Sequence, residues 1–364
     1  MEWANETCGD PAEIVYRPDE KASRRWQGCP SIEITPGGTL YAAWYTGGTH
    51  EPQPENYCVI ARSRDGGASY EDPFCVLRMS AELSARPLDA ELFCDPAGRL
   101  WIFWGESLLG GDTAPVPYHD GVFGVWATVC ENPDDVSPVF DAPRRLADGF
   151  LRNKPLVRRN GEWAMCAYDW ISPDYAYYTS GDQGQTWQRQ TGPQKLAGYR
   201  PMPDETMLVE KMDGTLWLLA RTRRGVAQSF GGTQGAPWTP LQDAAFPGPN
   251  SRFYIGRLAS GALLMVNHAG FTGRSHLTAM LSTDDGKTWP HALLLDARPN
   301  VSYPDVAQGA DGTLYIIYDR ERTGAGEILV ARCREEDIIA GGERRGAVIS
   351  SIRPRGKGHD NAAG

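Results

Sequence analysis

One pattern recurs six times along this chain of 364 residues, and it limits the possible folds more than any other feature. In each copy a short apolar segment runs into a turn that contains Gly, and a second segment rich in Leu, Trp and Tyr follows. Glycine supplies the positive φ that a tight turn requires, so each copy predicts a β-hairpin. The turn glycines are Gly38, Gly98, Gly161, Gly214, Gly261 and Gly312.

A second repeat lies between the hairpins and reads Ser-x-Asp-x-Gly-x-Ser/Thr followed by Trp or Tyr. Three intact copies span Ser63–Tyr70, Ser180–Trp187 and Ser282–Trp289, and a degraded copy, Gly231–Trp238, keeps only the Gly and the Trp. The Asp and Ser side chains can bond the backbone amides of a tight turn, and the aromatic ring can pack between sheets. We therefore interpret these Asp-boxes as structural turns and not as catalytic motifs.

A period near 50 residues with about four short strands per unit is typical of a β-propeller blade. The six hairpins predict an all-β protein, a six-bladed β-propeller of four-stranded antiparallel blades with Asp-box turns. We expect one domain over residues 1–352, in which Glu13–Arg17 forms an outer strand that closes the ring on the last blade. The polar, Gly-rich residues 353–364 predict a disordered tail.

Charge and composition argue against several classes of function. The net charge of −10 and the pI of about 5.2 disfavour a nucleic-acid partner, because phosphate binding needs clustered Lys and Arg. No apolar run approaches the ~20 residues of a membrane span, and the acidic N-terminus has no signal-peptide features, so we expect a cytoplasmic protein without a membrane partner. The eight Cys form no Cys-x-x-Cys pair and the six His form no zinc motif, so we expect buried reduced thiols and no metal or other cofactor. The oligomeric state stays open.

Asp-boxes between six hairpins resemble the sialidase (neuraminidase) superfamily, and the resemblance covers roughly Trp26 to Gly341. In a propeller, the innermost strand of each blade begins near the central axis, so the first residues of these strands line one funnel. The resemblance implies that the active site is built from those residues.

Three stretches of the chain match sialidase catalytic positions. Glu205 opens the fourth inner strand, and Arg221 ends the following strand 16 residues later. Arg274 stands 8 residues before the last Asp-box, and Tyr303 lies just ahead of the last hairpin. The resemblance implies that Tyr303 is the nucleophile and that Glu205 activates it. It also implies that Arg221 and Arg274 bind a substrate carboxylate.

The chain departs from the sialidase pattern at two places. Sialidases usually carry Arg-Ile-Pro at the first inner strand, whereas this chain has Gly28-Cys29-Pro30 and so lacks the first carboxylate-binding Arg. The family general acid is an Asp in the loop before the first Asp-box, where this chain has Glu51, with Glu55 as a close rival. Asp89 opens the second inner strand and is a further candidate for substrate binding. The candidate replacements for the missing cation are Arg24, Arg25 and Arg252.

The resemblance implies a retaining exo-glycoside hydrolase that removes a terminal sialic acid or related acidic sugar from a glycan. The carboxylate on the anomeric carbon of such a sugar would repel a carboxylate nucleophile, which favours a neutral Tyr hydroxyl. Glu205 could accept the proton of Tyr303 while guanidinium groups stabilise the phenolate. We therefore expect the Tyr303 hydroxyl and the Glu205 carboxylate to lie within hydrogen-bond distance of each other.

Two alternatives remain open at the level of sequence. Gly28 removes a guanidinium group, so the hydrolase could act on another ulosonic acid, a uronic acid or a neutral sugar. A non-catalytic carbohydrate-binding propeller is the second alternative, because drift would produce a degraded Asp-box and a missing Arg. Against it stand Tyr303 and Glu205, since a lectin has no need of an activated Tyr. All three interpretations take a small carbohydrate or a glycan as the partner.

Overall fold

The computed structural model describes residues 13–15, 24–53, 55–78, 85–108, 124–169, 172–196, 205–232, 236–246, 248–343 and 348–352. These residues form antiparallel sheets that surround a central axis as the six blades of a β-propeller, as the hairpin repeat predicts. The inner strand of the first blade contacts that of the last, which closes the ring. The predicted disordered tail, residues 353–364, lies outside the described residues.

Each blade contains four antiparallel strands, and the first and fifth blades add a fifth strand. The first blade comprises β1 (Glu13–Val15), β2 (Gln27–Ile34), β3 (Leu40–Thr46), β4 (Tyr57–Ser63) and β5 (Glu71–Arg78). The second comprises β6 (Ala85–Cys94), β7 (Leu100–Leu108), β8 (Gly124–Cys130) and β9 (Arg144–Ala147). The third comprises β11 (Leu156–Val157), β12 (Trp163–Met165), β14 (Tyr177–Ser180) and β15 (Gln188–Gln190), with the short pair β10 (Phe150–Leu151) and β13 (Ala167–Tyr168) beside it.

The remaining three blades follow the same order from the axis outward. The fourth comprises β16 (Thr206–Glu210), β17 (Leu216–Thr222), β18 (Gly225–Gly231) and β19 (Gln242–Asp243). The fifth comprises β20 (Tyr254–Arg257), β21 (Leu263–Asn267), β22 (Leu277–Ser282), β23 (His291–Asp296) and the parallel outer strand β27 (Gly342–Glu343). The sixth comprises β24 (Val301–Gln308), β25 (Leu314–Arg320), β26 (Glu327–Cys333) and β28 (Val348–Ser351).

The six hairpins close with the same turn. In the first, the Thr35 N–H donates to the Thr39 carbonyl at 3.0 Å and the Gly38 N–H donates to the Thr35 carbonyl at 2.9 Å, and the other five turns repeat both bonds. All six turn glycines have φ between 84° and 91°. This left-handed conformation is open to Gly without a steric penalty, which explains the glycine in every copy.

The Asp-boxes are structural turns, as their sequence predicts. In the third blade, the Ser180 hydroxyl donates to Asp182 Oδ1 at 2.8 Å and accepts the Gly184 N–H at 2.8 Å. The Thr186 N–H donates to the same carboxylate at 2.9 Å, and the first and fifth blades repeat this arrangement. In the sixth blade, the helix α1 (Glu335–Ala340) follows the third strand instead. No helix among the described residues is long and apolar enough to cross a membrane.

The N-terminal strand lies on a different blade from the one predicted. β1 pairs antiparallel with β5, from Glu13 opposite Arg78 to Val15 opposite Val76, so it is the outermost strand of the first blade. The last blade takes its outer strand from β28, which pairs with β26. The prediction that Glu13–Arg17 closes the ring on the last blade was therefore wrong. The outer edge of β5 offers unpaired backbone groups that β1 satisfies.

Three inner strands share an irregularity at their axial ends. The pairing register shifts near the start of β2, β6 and β24. At each shift one residue has positive φ: Cys29 at 57°, Asp89 at 56° and Tyr303 at 56°. A β-bulge of this kind redirects a side chain relative to the regular alternation of the strand. Blades one, two and six thus place equivalent residues at the axis, and one of them is the predicted nucleophile.

Candidate active site

Tyr303, Glu205 and Arg221 form a buried triangle of hydrogen bonds at the axis. The Tyr303 hydroxyl donates to Glu205 Oε1 at 2.8 Å, within the range expected from the sequence. Arg221 Nη1 donates both to Glu205 Oε2 at 2.8 Å and to the Tyr303 hydroxyl at 2.7 Å. Arg221 and Glu205 face each other because the Arg221 N–H bonds the Glu205 carbonyl where β16 meets β17. Residues from the fourth and sixth blades therefore meet at one phenolic oxygen.

The proton of this triangle resides on Tyr303. Burial opposes the ionisation of Glu205, but Arg221 and Arg152, with hydrogen bonds from Arg221 and Tyr303, hold its pKa at about 2. Burial and the neighbouring Glu205 raise the pKa of Tyr303 to about 12, although Arg221, Arg152 and Arg322 act in the opposite direction. In the ligand-free site at neutral pH, Glu205 is a carboxylate and Tyr303 is a phenol.

The remaining donors of Arg221 orient its guanidinium. Nε donates to Asn250 Oδ1 at 2.7 Å and Nη2 donates to the Asn250 carbonyl at 3.2 Å. A guanidinium has five N–H groups, so four of them have protein acceptors and the fifth has none among the residues that the structure describes. Arg221 therefore has little capacity left for a ligand, and its contacts with the Tyr303 oxygen suit the stabilisation of a phenolate.

Four guanidinium groups surround the Tyr303 ring. Their Cζ atoms lie 4.1 to 5.7 Å from the ring centroid and belong to Arg322, Arg152, Arg274 and Arg221. Arg274 is half-buried and makes no hydrogen bond or ion pair with the residues that the structure describes. Together with Arg322 and Ser302 it lines a cleft of about 440 Å³ next to Tyr303, within the ~300–1,000 Å³ range of ligand pockets, although Tyr303 itself is not part of its lining. The Arg274 guanidinium thus adds a cation without a partner among the described residues to this cleft, which favours an anionic ligand.

Arg322 places a guanidinium beside Gly28, where the first inner strand lacks an Arg. Its side chain lies directly beside Gly28, so closely that a Cβ there would be 2.7 Å from Nε. Asp319, which is fully buried, accepts hydrogen bonds from Arg322 Nε at 3.0 Å and from the Cys29 N–H at 2.9 Å. Arg322 Nη2 also lies 3.3 Å from the Ser302 hydroxyl. The remaining nitrogen, Nη1, lies 3.6 Å from Glu51 Oε1.

Two carboxyl groups lie on the side of the first and second blades. One oxygen each of Glu51 and Asp89 and the Cys29 sulfur all lie within 4.8 Å of one another. Glu51 is partly exposed, whereas Asp89 is buried and burial raises its pKa to about 7, with Glu51 and Glu205 adding to the effect and Arg152 opposing it. Glu55 is exposed on the same loop as Glu51. Of the two candidate acids, Glu51 is the one that reaches the cluster.

The chain matches a known protein family over most of its length. The model of the BNR repeat-like domain family matches residues 38–316. The chain belongs to the BNR repeat-like domain family. A sialidase from Micromonospora viridifaciens is 29% identical over 335 residues, which cover 80% of this chain and 49% of the relative, so the chain spans about half the length of that protein.

Solved structures confirm the sialidase fold of this BNR repeat-like protein. The NanB sialidase from Streptococcus pneumoniae aligns with a TM-score of 0.66 at 13% identity, over 90% of this chain and 71% of that one. The intramolecular trans-sialidase from Ruminococcus gnavus aligns with a TM-score of 0.65 at 14% identity, over 90% of this chain and 98% of that one. The resemblance to the sialidase superfamily is therefore correct at the level of the fold.

The three cations expected to replace the missing Arg do not reach the cleft of the BNR repeat-like domain. Arg24 pairs with Asp72 at 2.8 Å, and Arg25 is exposed. Arg252 is 2% exposed and lies beneath the cluster, where Nη2 pairs with Glu91 at 3.0 Å and Nη1 donates to the Pro30 carbonyl. The carboxylate of Glu91 pairs with this guanidinium, and neither Arg252 nor Arg25 lines the cleft that Arg274 and Arg322 line.

Two arginines near Tyr303 in this BNR repeat-like protein were not identified as site residues from the sequence. Arg322 follows β25, the second strand of the sixth blade, and so does not open an inner strand. The one sequence feature that hints at its position is Gly28, which leaves room for its side chain. Arg152 opens the third blade, and its guanidinium forms an ion pair with Asp89 through Nη1. Its Nε lies 3.8 Å from Glu205 Oε1. Both positions depend on packing between blades, which a repeat pattern does not reveal.

The Cys29–Glu51–Asp89 group is the one set of potential metal ligands that the described residues bring together. Arg152 contacts the Asp89 carboxylate and Arg322 lies 3.6 Å from Glu51. A metal ion would have to displace two guanidinium groups, so this environment is unfavourable for a cation. A larger groove of about 790 Å³ lies elsewhere, between the third and fourth blades, and contains none of the residues around Tyr303.

Proposed function

We propose that this protein is an exo-glycoside hydrolase of the sialidase type that cleaves a terminal sugar acid from a glycan. The observation that carries the proposal is the triangle of Tyr303, Glu205 and Arg221, with hydrogen bonds of 2.7 to 2.8 Å. A phenol that donates to a buried carboxylate and accepts from a guanidinium has a proton acceptor and a phenolate stabiliser already in place. The sialidase fold and the Micromonospora relative support the same class of reaction.

The substrate carboxylate binds among the cations of the cleft. Arg274 in the cleft offers all of its donors, Arg322 in the cleft offers Nη1, which lies 3.6 Å from Glu51 Oε1, and Arg221, beside the Tyr303 hydroxyl, offers its one remaining N–H group. Charge-assisted hydrogen bonds from guanidinium to carboxylate are about twice as strong as neutral ones. This set restores a three-arginine clamp without an Arg at the first strand and favours an anionic sugar over a neutral one.

The reaction proceeds by two displacements at the anomeric carbon. The Tyr303 oxygen attacks this carbon and its proton passes to Glu205, while Glu51 gives a proton to the departing glycosidic oxygen. Water then attacks the same carbon with Glu51 as base, the bond to Tyr303 breaks, and the phenol regains its proton from Glu205. Two inversions give net retention, the outcome of double-displacement glycosidases.

Proton transfer accompanies the attack and does not precede it. The pKa of Tyr303, at about 12, and that of Glu205, at about 2, keep the proton on the phenol before substrate arrives. A bound carboxylate weakens the positive field of the arginines, which makes Glu205 a better base. As the Tyr303 oxygen bonds to the electron-poor anomeric carbon, the Tyr303 hydroxyl becomes more acidic and its proton moves to Glu205.

Hydrolysis of an aryl sialoside by wild type and by Tyr303→Phe tests the proposal. Phe keeps the ring beside the four guanidinium groups and removes only the nucleophilic oxygen, so kcat should fall by roughly 10³-fold or more. Tyr315→Phe, on the same blade and outside the site, is the matched control and should keep full activity. Proton NMR of the first sugar released should show the anomer of the substrate. Undiminished turnover by Tyr303→Phe excludes Tyr303 as nucleophile, and binding of sugar acids without turnover supports a lectin.

A further inference from the structure

The Arg274 side chain has few contacts of its own in the site. Its Cζ lies 5.4 Å from the centroid of the Tyr303 ring, and it makes no hydrogen bond or ion pair within the part of the chain that the structure describes. Ordering an arginine side chain costs conformational entropy, and no partner offsets that cost here. The direction of Arg274 therefore depends on the loop that carries it.

This loop connects β21 to β22 in the fifth blade, and its own residues restrain it little. It contains Gly270 and Gly273, and a Cβ added at either glycine would meet no atom within 4 Å. Glycine in open space leaves the backbone more conformational freedom than any other residue. Phe271 near the tip is 40% exposed, although its ring stacks on that of His276. The buried restraint lies at the base of the loop.

His268 forms a hydrogen bond across that base. The residue is fully buried and directly follows β21, and its Nδ1 lies 2.9 Å from the Ser275 carbonyl oxygen. A carbonyl only accepts, so Nδ1 carries the proton and donates it to this bond. Ser275 is the residue after Arg274. The bond thus joins the first residue of the loop to the peptide next to Arg274.

The imidazole of His268 is neutral at this position. Burial lowers its pKa to about 4 against the effect of the bond to Ser275, and the Arg274 guanidinium adds to the decrease while the Asp319 carboxylate opposes it. The ring therefore lies among the charged groups of the clamp. Its Nε2 is buried and has no hydrogen-bond partner among the described residues. A neutral ring fixes the loop without placing a second positive charge beside Arg274.

We propose that His268 is a positioning residue that holds Arg274 in the cleft and so sets the affinity of the site for the substrate carboxylate. This inference rests on the proposed function, in which Arg274 binds that carboxylate. The Nδ1–H group of His268 fixes the Ser275 peptide, and that peptide directs the neighbouring Arg274. At the far end of the loop His276 has φ of 54°, a conformation that a residue other than glycine keeps where the surrounding structure imposes it.

Two amide substitutions separate the two nitrogens of the ring. In His268→Asn the side-chain N–H occupies the place of Nδ1 and can donate to Ser275, whereas in His268→Gln the amide reaches the place of Nε2. We expect His268→Gln to raise KM for an aryl sialoside about 10-fold, the effect of a weakened hydrogen bond to a charged group. His268→Asn should keep the wild-type KM. His291→Asn, on β23 of the same blade, is the matched control and should change neither KM nor kcat.

The division between KM and kcat distinguishes positioning from a general loss of structure. A contact that is equally strong in substrate and transition state changes KM and leaves kcat as it is. Partial unfolding instead lowers the amount of active enzyme, which reduces the apparent kcat at constant KM. An unchanged KM in His268→Gln, a loss confined to kcat, or an equal rise in KM in His268→Asn overturns the inference. His268→Leu takes the place of His268→Gln if the Gln variant does not fold.

A double-mutant cycle ties the effect to Arg274. In an Arg274→Ala background, His268→Gln should have no further effect on KM, because the guanidinium that the loop positions is absent. The same fold-increase in both backgrounds would show that His268 acts on the site by a route other than Arg274, and it overturns the inference while the proposed function stands.

Hydrogen exchange decides the question even if no glycoside is cleaved. Absence of hydrolysis by wild type contradicts the proposed function, but the restraint on the loop is still measurable in the ligand-free proteins. The amides of residues 269–275 should exchange faster in His268→Gln than in wild type and His268→Asn, while β21 and β22 keep their protection. Such a difference supports the positioning of Arg274 by His268. Equal exchange in the three proteins overturns it.

Discussion

Arg322 fills the space that a side chain at Gly28 would need. A Cβ at Gly28 would lie 2.7 Å from Nε and 2.8 Å from Cδ of Arg322. The two residues belong to the sixth and first blades, which meet where the propeller closes. The absence of an Arg at position 28 and the presence of Arg322 after β25 are therefore linked, because the space beside position 28 holds only one long side chain.

The first prediction concerns the clamp. Arg322→Ala should raise KM for a sugar-acid glycoside by about 10- to 100-fold, because a hydrogen bond to a charged group contributes about 1.5–3 kcal/mol. Arg320→Ala, two residues earlier, removes a guanidinium that pairs with Glu327 at 2.8 Å and should leave KM unchanged. Steady-state kinetics, with melting temperatures to verify folding, make the comparison. An unchanged KM in Arg322→Ala would mean that the substrate carboxylate binds elsewhere.

The contact with Gly28 gives a second prediction, in the form of a double-mutant cycle. Gly28→Ala pushes the Arg322 side chain from its place and should raise KM severalfold. In an Arg322→Ala background the same substitution meets empty space and should have no further effect. The interaction energy between the two substitutions is the measured quantity. Additive effects would show that Gly28 acts on the site by a route independent of Arg322.

The third prediction is a pH dependence of stability from Asp89. Its pKa is raised, mainly by burial, to about 7 in the folded protein, against ~3.9 for a solvated Asp. A carboxyl with a raised folded pKa contributes stability below the unfolded pKa and loses that contribution as the pH rises through the folded value. The free energy of unfolding should therefore decline between about pH 4 and pH 7, and Asp89→Asn should flatten this decline. Urea titrations across this interval measure it, and parallel pH profiles for the two proteins would contradict the assignment.

The fourth prediction separates stability from activity. Asp182→Ala removes acceptors for the Ser180 hydroxyl and for the Thr186 N–H and hydroxyl, at 2.6 to 2.9 Å. We expect a loss of about 1–2 kcal/mol in the free energy of unfolding, with kcat/KM unchanged. Gln185→Ala on the same turn is the control and should change neither quantity. A large loss of activity in a fully folded Asp182→Ala protein would contradict a purely structural Asp-box.

The sequence alone predicted what the repeat encodes locally. Glu205, Arg221 and Tyr303 were identified through the resemblance to sialidases, and the hairpin repeat then placed them at the axial ends of their strands. The hydrogen bonds among them require only that the six blades close into a ring. Residues whose position is set within one hairpin are therefore accessible to sequence analysis.

The remaining site residues depend on contacts between blades. Arg252 opens an inner strand as regularly as Glu205 does, yet the Glu91 carboxylate of another blade holds it beneath the pocket. Arg322 and Arg320 are alike in local sequence, and only the buried Asp319 and the empty volume at Gly28 direct one of them to the cleft. Charge pairing and free volume between distant segments decide these positions, and neither is visible in the period of the repeat.

The final prediction tests the role of Glu205 as proton acceptor against a purely electrostatic role. Burial and then the Glu205 anion raise the pKa of Tyr303 to about 12, so Glu205→Gln should lower this pKa, because the nearby guanidinium groups remain. Ultraviolet difference titration against Tyr303→Phe isolates this tyrosine from the other 14 of the 15 in the chain. If Glu205 takes the proton during attack, Glu205→Gln loses activity at neutral pH despite its more acidic phenol. If Glu205 only modulates the pKa, the more acidic phenol makes the variant as active as wild type or more so, and that result would exclude Glu205 as the base.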